Sequence, residues 1–357
     1  MAERLPDDVQ PASRENADTG DNAASAAPAP MRTRITELLG IRYPIVQGGL
    51  AHLAYSGLAA AVSAGGGLGQ LGVACFATPD ELRADIQHVR AATDAPYGVN
   101  FPLGMRPIEA FLEVALEERA PVITITAGNP EATLRRIQQS GVTALPKTMV
   151  LVAGVRAARK AQDLGADAVI AVGYEGGGHL GRDDVSTLVL TPRILDSVTI
   201  PVLASGGMVD GRGLAAALAL GAAGVELGTR FVAVQEGNAH PRYKDAIVAA
   251  QETDTVIIER SIGRPARVLR SPFAEQILAR EADLAARGAD REAALTEILP
   301  FILGANNTRA ALDGDLDHGF VWAGQVVGLI DDIPAARDLI WRMVAEARAR
   351  LHRLAGL

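Results

Sequence analysis

Two turns of small residues follow short apolar runs in the second half of the chain, and their composition suits phosphate binding. The run Ile200–Ala204 leads into Ser205-Gly206-Gly207, and the run Gly224–Leu227 leads into Gly228-Thr229. The Ala-rich segment Leu214–Leu220 between them favours a helix. If the two runs are neighbouring parallel strands, both turns lie at the same edge of the sheet. Glycine lets backbone N–H groups approach a ligand, and a helix start adds positive potential. The turns therefore predict a phosphate site.

Four other polar residues follow predicted strands or lie in the loops after them. Gln47 and Asn100 carry amides that can hydrogen-bond the polar edge of a flavin ring. Lys147 has three interpretations: an ion pair with a carboxylate, the Schiff-base lysine of an aldolase, or a fixed charge beside the N1/C2=O side of a reduced flavin. His179, in the glycine-rich loop Tyr174–Gly181, is either an exposed loop histidine or a base or hydrogen-bond donor near neutral pH.

Alternation of apolar strands with helical patterns predicts the elements that position these residues. Eight repeats before residue 235 favour a (β/α)8 TIM barrel over an open sheet. In such a barrel, functional groups lie at the C-terminal ends of the strands, and phosphate sites follow the last two strands. The predicted strands are Tyr43–Val46, Leu68–Leu71, Tyr97–Phe101, Val122–Thr126, Val142–Leu145, Ala168–Val172, Ile200–Ala204 and Gly224–Leu227.

The remaining sequence divides into a tail, a cap and a closing helix. Residues 1–30 have no apolar period and no signal-peptide pattern, so we predict a disordered tail, with Met31 as an alternative translation start. Residues 31–235 and 329–357 form the predicted barrel. Residues 236–328 form a smaller, mainly helical cap inserted before the last helix, and the last helix is expected to close the barrel.

Composition excludes several functional classes. The 357 residues carry a net charge of −8, which does not favour nucleic acid or an anionic membrane surface. Cys75 is the only cysteine, so a disulfide framework and a cysteine-ligated metal are excluded. No apolar run is long enough to span a membrane, and we expect a cytoplasmic protein. The strand ends offer neither the carboxylate pair of a glycosidase nor a metal-binding cluster.

With these residues considered, the chain resembles the nitronate monooxygenase (2-nitropropane dioxygenase-like) family of FMN-dependent barrels. That superfamily also contains flavin-dependent enoyl-ACP reductases and NAD(P)H:quinone reductases. The resemblance extends from about Arg32 to the C-terminus. It is carried by the motifs Tyr43-Pro-Ile-Val-Gln-Gly-Gly49, Tyr97-Gly-Val-Asn100, Thr126-Ala-Gly-Asn129, Glu175-Gly-Gly-Gly-His-Leu-Gly181, Ala204-Ser-Gly-Gly207, Gly228-Thr-Arg-Phe231, Asn238-Ala-His-Pro241 and Ala323-Gly-Gln325.

The resemblance implies FMN at the mouth of the barrel and His179 as the active-site residue beside the substrate. The expected cofactor contacts are Gln47, Gly48, Gly49, Asn100, Lys147, Gly177, Gly178, Ser205, Gly206, Gly207, Gly228, Thr229 and Gln325. The first strand ends in Gln-Gly-Gly, as in the reductase branches, where many nitronate monooxygenases have Gln-Ala-Pro. Lys147 instead favours the monooxygenase and quinone reductase branches, because the enoyl reductases carry an apolar residue there.

The family likeness favours a nitronate monooxygenase, which oxidises alkyl nitronates with O2 to carbonyl compounds and nitrite. The principal alternative is NAD(P)H-dependent reduction of a quinone or an enoyl thioester. A more distant one is a flavin-free aldolase that uses Lys147, and another is a barrel that binds a phosphoryl ligand without catalysis. The expected partners are small molecules and O2, with a homodimer as one arrangement.

Overall fold

The computed structural model describes residues 26–104 and 106–357, and its centre is a parallel barrel. Neighbouring strands pair in parallel, and a bridge between Val46 and Leu68 joins the two edge strands into a ring. The short strand β7 (Gly178–His179) lies outside this ring. The barrel strands are β1 (Ile45–Gln47), β2 (Gly69–Gly72), β3 (Tyr97–Pro102), β4 (Val122–Thr126), β5 (Lys147–Val152), β6 (Ala168–Val172), β8 (Val202–Ser205) and β9 (Gly224–Leu227). The predicted TIM barrel is confirmed.

Amphipathic helices cover the outside of the barrel. The helix Pro79–Ala92 shows why they form: Thr78 caps its first turn, proline begins it, and its buried residues recur at helical spacing. The helices are α1 (Arg34–Leu39), α2 (Ser56–Ala64), α3 (Pro79–Ala92), α4 (Glu109–Glu117), α5 (Glu131–Gln138), α6 (Val155–Asp163), α7 (Thr187–Leu195), α8 (Gly211–Ala219), the single turn α9 (Thr229–Val232) and, at the end of the chain, α14 (Ala336–Ala355). Helix α14 packs on α8 and α2, where it completes the outer ring.

The barrel interior changes from apolar to polar along its axis. At the N-terminal end of the strands, α1 inserts Ile35 and Leu39 against interior residues such as Met149. Towards the other end the buried residues include Gln70, Asn100 and Glu226. We call the C-terminal ends of the eight strands, with the loops that follow them, the barrel mouth. The apolar plug makes one end of the barrel a packed core and leaves the polar chemistry to the mouth.

The cap contains a small sheet as well as helices. Its helices are α10 (Pro241–Ala249), α11 (Pro272–Ala286), α12 (Arg291–Ile302) and α13 (Gly304–Asp313), and its strands are β10 (Thr255–Ile258) and β11 (Ala266–Leu269). Strand β11 also pairs with β7 from the loop after β6, so the cap sheet is joined to the barrel mouth. These two strands were not predicted, although every residue of Thr255–Ile258 is β-branched and favours a strand. None of the described helices has the length and hydropathy needed to cross a membrane.

Strands β1, β2, β3 and β8 differ from their predicted bounds by one or two residues, and two other differences are larger. The fifth strand was predicted at Val142–Leu145, whereas β5 begins at Lys147 and ends at Val152. The tail prediction for 1–30 also needs correction where the chain is described. The carbonyl oxygens of residues 28–30 accept hydrogen bonds from Arg42, Tyr43 and Arg348. Contacts to backbone carbonyl oxygens cannot be predicted from the pattern of apolar residues, because every residue type carries a carbonyl group. The predicted disorder of residues 1–25 lies outside the described residues.

Candidate active site at the barrel mouth

The two glycine turns lie side by side at the mouth, as predicted. Ser205 at the end of β8 pairs with Glu226 in β9, and Gly206 and Gly207 follow with φ of +83° and +76°. Residues other than glycine rarely adopt the left-handed conformation, so two such residues in succession require glycine at both positions. Neither glycine N–H donates a hydrogen bond to any described residue. The turn therefore presents two unpaired backbone donors, which is the arrangement that binds a phosphate group.

The helix that follows this turn does not contribute its first N–H groups. The side chain of Asp210 accepts from the N–H groups of Arg212 and Gly213, and Glu346 accepts from that of Gly211. Carboxylates thus occupy the helix start that was expected to add positive potential at the phosphate site. With these caps, the free donors that this turn offers are those of Gly206 and Gly207. A third carboxylate, that of Glu175, lies near Gly207 and accepts from Thr187 at the start of α7.

The cap brings the segment Ala323-Gly324-Gln325 to the same place. The Gly324 N–H donates to Thr229 Oγ1 at 2.9 Å, and the Gln325 N–H donates to the Glu175 carbonyl, also at 2.9 Å. A Cβ on Gly177 would lie 2.7 Å from the Gly324 nitrogen, so the two segments require glycine to pass each other. Gly178, with φ of +79°, has open space beside it. The predicted residues Gly177, Gly178, Thr229 and Gln325 are thus assembled around the glycine turns.

Asn100 lies beneath the first turn of the mouth with an unsatisfied amide. It is 3 % exposed, and its Nδ2 has no hydrogen-bond partner among the described residues. A Cβ on Gly49 would clash with this amide, so glycine is needed there for the loop to lie over Asn100. A buried amide without a partner costs about 1–3 kcal/mol. An acceptor from a ligand placed against Gly48 and Gly49 would remove that cost.

The side chain of Gln47 is engaged in hydrogen bonds within the barrel. It is fully buried, and its Nε2 donates to the carbonyl oxygens of Gly48 and Gln70, both at 3.0 Å. Its Oε1 accepts from the Gln70 N–H at 3.1 Å. These bonds join β1 to β2, where the barrel closes. Gln47 therefore holds the strand end in place, and ring contacts from this segment would come from Gly48 and Gly49.

Lys147 lies at the opposite end of the barrel from the mouth. It begins β5, pairs with Val122 at the start of β4, and has an exposed Nζ 3.3 Å from Asp167 Oδ1. The prediction that it follows a strand is wrong, because the strand was placed too early in the chain. The ion pair is the first of its three interpretations. The residue at the mouth end of β5 is Val152.

Two ionisable residues of the mouth were missed by the sequence analysis. Glu226 is fully buried and hydrogen-bonded to Ser205 Oγ at 2.6 Å, and burial raises its pKa from 4.5 to about 7. His52 lies in the loop after β1 with φ of +62°, and burial lowers its pKa. The alternation of inward residues along β9 was the available signal for Glu226.

His179 is held by the cap sheet next to the glycine-rich loop. It pairs with Ala266 of β11, and its ring centroid lies 5.3 Å from that of Trp322. Its side chain is 43 % exposed, and its Nε2 lies 3.5 Å from Glu259 Oε2. A ring that is positioned by neighbours and still open to solvent can exchange protons with a substrate.

The family model described as nitronate monooxygenase matches residues 32–107 and 104–346. The chain belongs to the nitronate monooxygenase family. It is an oxidoreductase, because its family and its similar relatives are oxidoreductases. The mouth described above is therefore the candidate active site.

Three similar proteins span nearly the same length. FabK from Thermotoga maritima, a solved structure, is 42 % identical with a TM-score of 0.82, and the match covers 91 % of this chain and 99 % of that one. The (3aS,4S,5R,7aS)-5-hydroxy-7a-methyl-1-oxo-octahydro-1H-indene-4-carboxyl-CoA dehydrogenase of Rhodococcus jostii is 35 % identical, covering 92 % of this chain and 99 % of the relative. A probable nitronate monooxygenase of Staphylococcus saprophyticus is 30 % identical, covering 90 % and 99 %.

Proposed function

We propose that the chain is an FMN-dependent oxidoreductase with its flavin at the barrel mouth. The observation that carries this proposal is the set of unpaired donors there: the N–H groups of Gly206 and Gly207 and the buried Nδ2 of Asn100. The first two suit a phosphate, and the third suits an acceptor on a ring lying against Gly48 and Gly49. Gly177, Gly178, Gly228, Thr229 and Gln325 would surround the same group. A single phosphate turn favours FMN over a dinucleotide.

A bound flavin would supply the electron-transfer chemistry, and the chain's own residues would position the reactants and move protons. His179 would donate or accept a proton at the substrate, because its half-exposed ring follows the glycine loop directly. Glu226, buried under the phosphate turn without a cation beside it among the described residues, would hold its proton while an anion is bound nearby.

For the substrate, we infer a thioester before a nitronate. Lys147 was the residue that favoured the monooxygenase and quinone reductase branches over the enoyl reductases, and it lies at the other end of the barrel. At the mouth, β5 ends in apolar Val152 and not in a lysine, and β1 ends at Gln47, which Gly48 and Gly49 follow as in the reductase branches. The Rhodococcus relative is named for a CoA thioester substrate. Together these features favour hydride transfer between a nicotinamide cofactor and an enoyl or related acyl thioester.

An alkyl nitronate is the second candidate. It is supported by the family model and by relatives named probable nitronate monooxygenase at 30–31 % identity. The two candidates use the flavin in opposite directions. A nitronate would reduce the flavin directly, whereas a thioester would reoxidise a flavin that NADH or NADPH had reduced.

Anaerobic stopped-flow spectroscopy separates the two candidates. The oxidised protein is mixed with NADH, NADPH or an alkyl nitronate, and loss of flavin absorbance is followed. The reduced protein is then mixed with an enoyl-CoA thioester. We expect bleaching by a nicotinamide cofactor and reoxidation by the thioester. Bleaching by the nitronate alone would contradict the thioester assignment and support the second candidate.

The variant His179→Ala tests the proton transfer in the same assay. We expect it to retain flavin and to be reduced by the nicotinamide cofactor at nearly the wild-type rate, because hydride transfer requires no protein base. Reoxidation by the thioester should fall by about 10²-fold, as is typical for loss of an acid–base group. Wild-type rates in both half-reactions would remove His179 from the proposal.

A further inference from the structure

The Nε2 atom of His179 lies between a cation and an anion. Arg264 Nη2 is 3.1 Å from it, and Glu259 Oε2 is 3.5 Å from it. Arg264 Nη2 is also 3.5 Å from Glu259 Oε2, so the three groups contact one another. A guanidinium can only donate and a carboxylate can only accept. Nε2 can therefore accept from Arg264 when it is unprotonated and donate to Glu259 when it is protonated.

Glu259 occupies this position at a conformational cost. It follows β10 with φ of +65°, a left-handed conformation that disfavours residues other than glycine. Its side chain is 2 % exposed, and its Oε2 has no hydrogen-bond partner among the described residues. A carboxylate is expensive to bury unless cations lie beside it. The two cations next to Glu259 Oε2 are Arg264 and, when it is protonated, His179.

The turn between β10 and β11 is fixed from the cap helices. Glu281 of α11 accepts hydrogen bonds from the N–H groups of Glu259 and Ser261, at 3.1 and 2.8 Å. Arg291 at the start of α12 donates to the Ile262 carbonyl at 3.0 Å. These bonds fix the turn that carries Glu259 and Arg264. His179, by contrast, comes from the loop after β6.

We propose that Glu259 and Arg264 are positioning residues for His179, which hold its ring in one place in both its neutral and its protonated state. Arg264 donates to the unprotonated Nε2, which assigns the proton of the neutral ring to Nδ1. Glu259 accepts from Nε2 when the ring is charged. This proposal rests on the proposed function only in giving His179 a proton to move.

Other charged groups near the cluster have partners of their own. Arg260 pairs with Asp184 at 2.9 Å, and Arg182 donates to the Gly263 carbonyl at 2.9 Å. Arg267 of β11 faces Thr255 and the Tyr174 carbonyl. Within the part of the chain that the structure describes, the charges within reach of Nε2 are therefore those of Glu259 and Arg264. Because these two charges are opposite in sign, removing Glu259 and removing Arg264 should shift the pH at which His179 becomes protonated in opposite directions.

The test is ¹⁵N NMR of the histidine rings in the full-length, purified protein as a function of pH. The six histidines are few enough to assign, with His179→Gln identifying the resonance of interest. The variants are Glu259→Gln and Arg264→Gln. Glu275→Gln is the matched control, because it removes an exposed carboxylate of the same cap that pairs with Arg270.

In the wild type we expect the neutral ring of His179 to carry its proton on Nδ1. Glu259→Gln removes a negative charge beside Nε2 and should lower the pH at which the ring becomes protonated, whereas Arg264→Gln removes a positive charge and should raise it. Arg264→Gln should also return the neutral ring to a mixture of tautomers, and Glu275→Gln should leave both properties unchanged. The acidic limb of the pH profile of thioester reoxidation should move with the ring.

Three results are decisive. An unchanged midpoint of His179 in both variants would overturn the positioning role, as would a neutral ring protonated on Nε2 in the wild type. Opposite shifts of the ring with no change in the activity profile would support the positioning role and count against His179 in the proposed function. Loss of folding in Glu259→Gln, judged by circular dichroism, would transfer the decision to Arg264→Gln and to the wild-type tautomer.

Discussion

The buried carboxyl group of Glu226 should make the stability of the protein depend on pH, and the variant Glu226→Gln should remove that dependence. Glu226 lies inside the barrel below the phosphate turn, hydrogen-bonded to Ser205 Oγ at 2.6 Å. Burial raises its pKa from 4.5 to about 7. Glutamine has the same shape, can accept the same hydrogen bond and cannot ionise.

The magnitude follows from this shift. Because the pKa in the folded state is higher than in the unfolded state, the stabilisation is fully present below pH 4.5 and is lost as the pH rises towards 7. A difference of two and a half units corresponds to about 3 kcal/mol, of which about 2–3 kcal/mol is lost between pH 5 and pH 8. Above pH 8 the loss should level off, because the group is then ionised in both states.

The assay is urea unfolding of the flavin-free protein at a series of pH values, for the wild type, Glu226→Gln and the control Glu109→Gln. Glu109 is an exposed carboxylate on α4, so its variant should follow the wild type. We expect the free energy of unfolding of Glu226→Gln to gain about 2–3 kcal/mol relative to the wild type between pH 5 and pH 8. A constant difference over this range would refute the reasoning, because it would mean that Glu226 is ionised at low pH or has a cationic partner in solution.

Three further predictions concern the phosphate turn, the far end of the barrel and the tail. Gly206→Val should lose FMN on gel filtration, because valine disfavours φ of +83° and would turn the N–H groups away. The control Gly141→Val, at φ of +73° in open space, should retain FMN. Equal retention by the two variants would argue against the turn as the phosphate site. Lys147→Met should leave FMN content and turnover unchanged and lower stability by at most about 1 kcal/mol, since it removes an exposed ion pair; a loss of flavin would place Lys147 at the site after all. Deletion of residues 1–30 should lower the melting temperature more than deletion of 1–25, because the longer deletion removes carbonyl partners of Arg42, Tyr43 and Arg348; identical melting curves would contradict the docking of residues 28–30.

The parts of the fold that were predictable from sequence are those set by local patterns. The strands Val122–Thr126, Ala168–Val172 and Gly224–Leu227 were predicted with the bounds that the structure has. Their apolar runs are short and end at glycine or polar turns, and a parallel sheet requires such runs. The glycine turns could be placed at the mouth for the same reason, because parallel strands carry their C-terminal ends to one side.

The features that could not be predicted depend on the exact ends of strands and on contacts between residues that are far apart in the sequence. The predicted fifth strand was placed a few residues too early, so Lys147 was expected after its C-terminal end. Lys147 is in fact the first residue of β5, and it therefore lies at the opposite end of the barrel from the mouth. Nothing local indicates that β7 pairs with β11, more than 80 residues away, and this pairing brings Glu259 to His179. The bond from Gln47 to Gln70 is also long-range, so a side chain assigned to the ligand holds the barrel closed.

The central claim is that the glycine turns and Asn100 hold FMN at the mouth, and the flavin content of the purified protein tests it most directly. The protein is denatured, the released cofactor is identified by chromatography, and its amount is compared with that of the chain, for the wild type and for Asn100→Ala. We expect close to one FMN for each wild-type chain and a marked loss from Asn100→Ala, because the buried Nδ2 is assigned to the ring. A wild-type protein that releases FAD or no flavin, or an Asn100→Ala variant that holds FMN as tightly as the wild type, would contradict it.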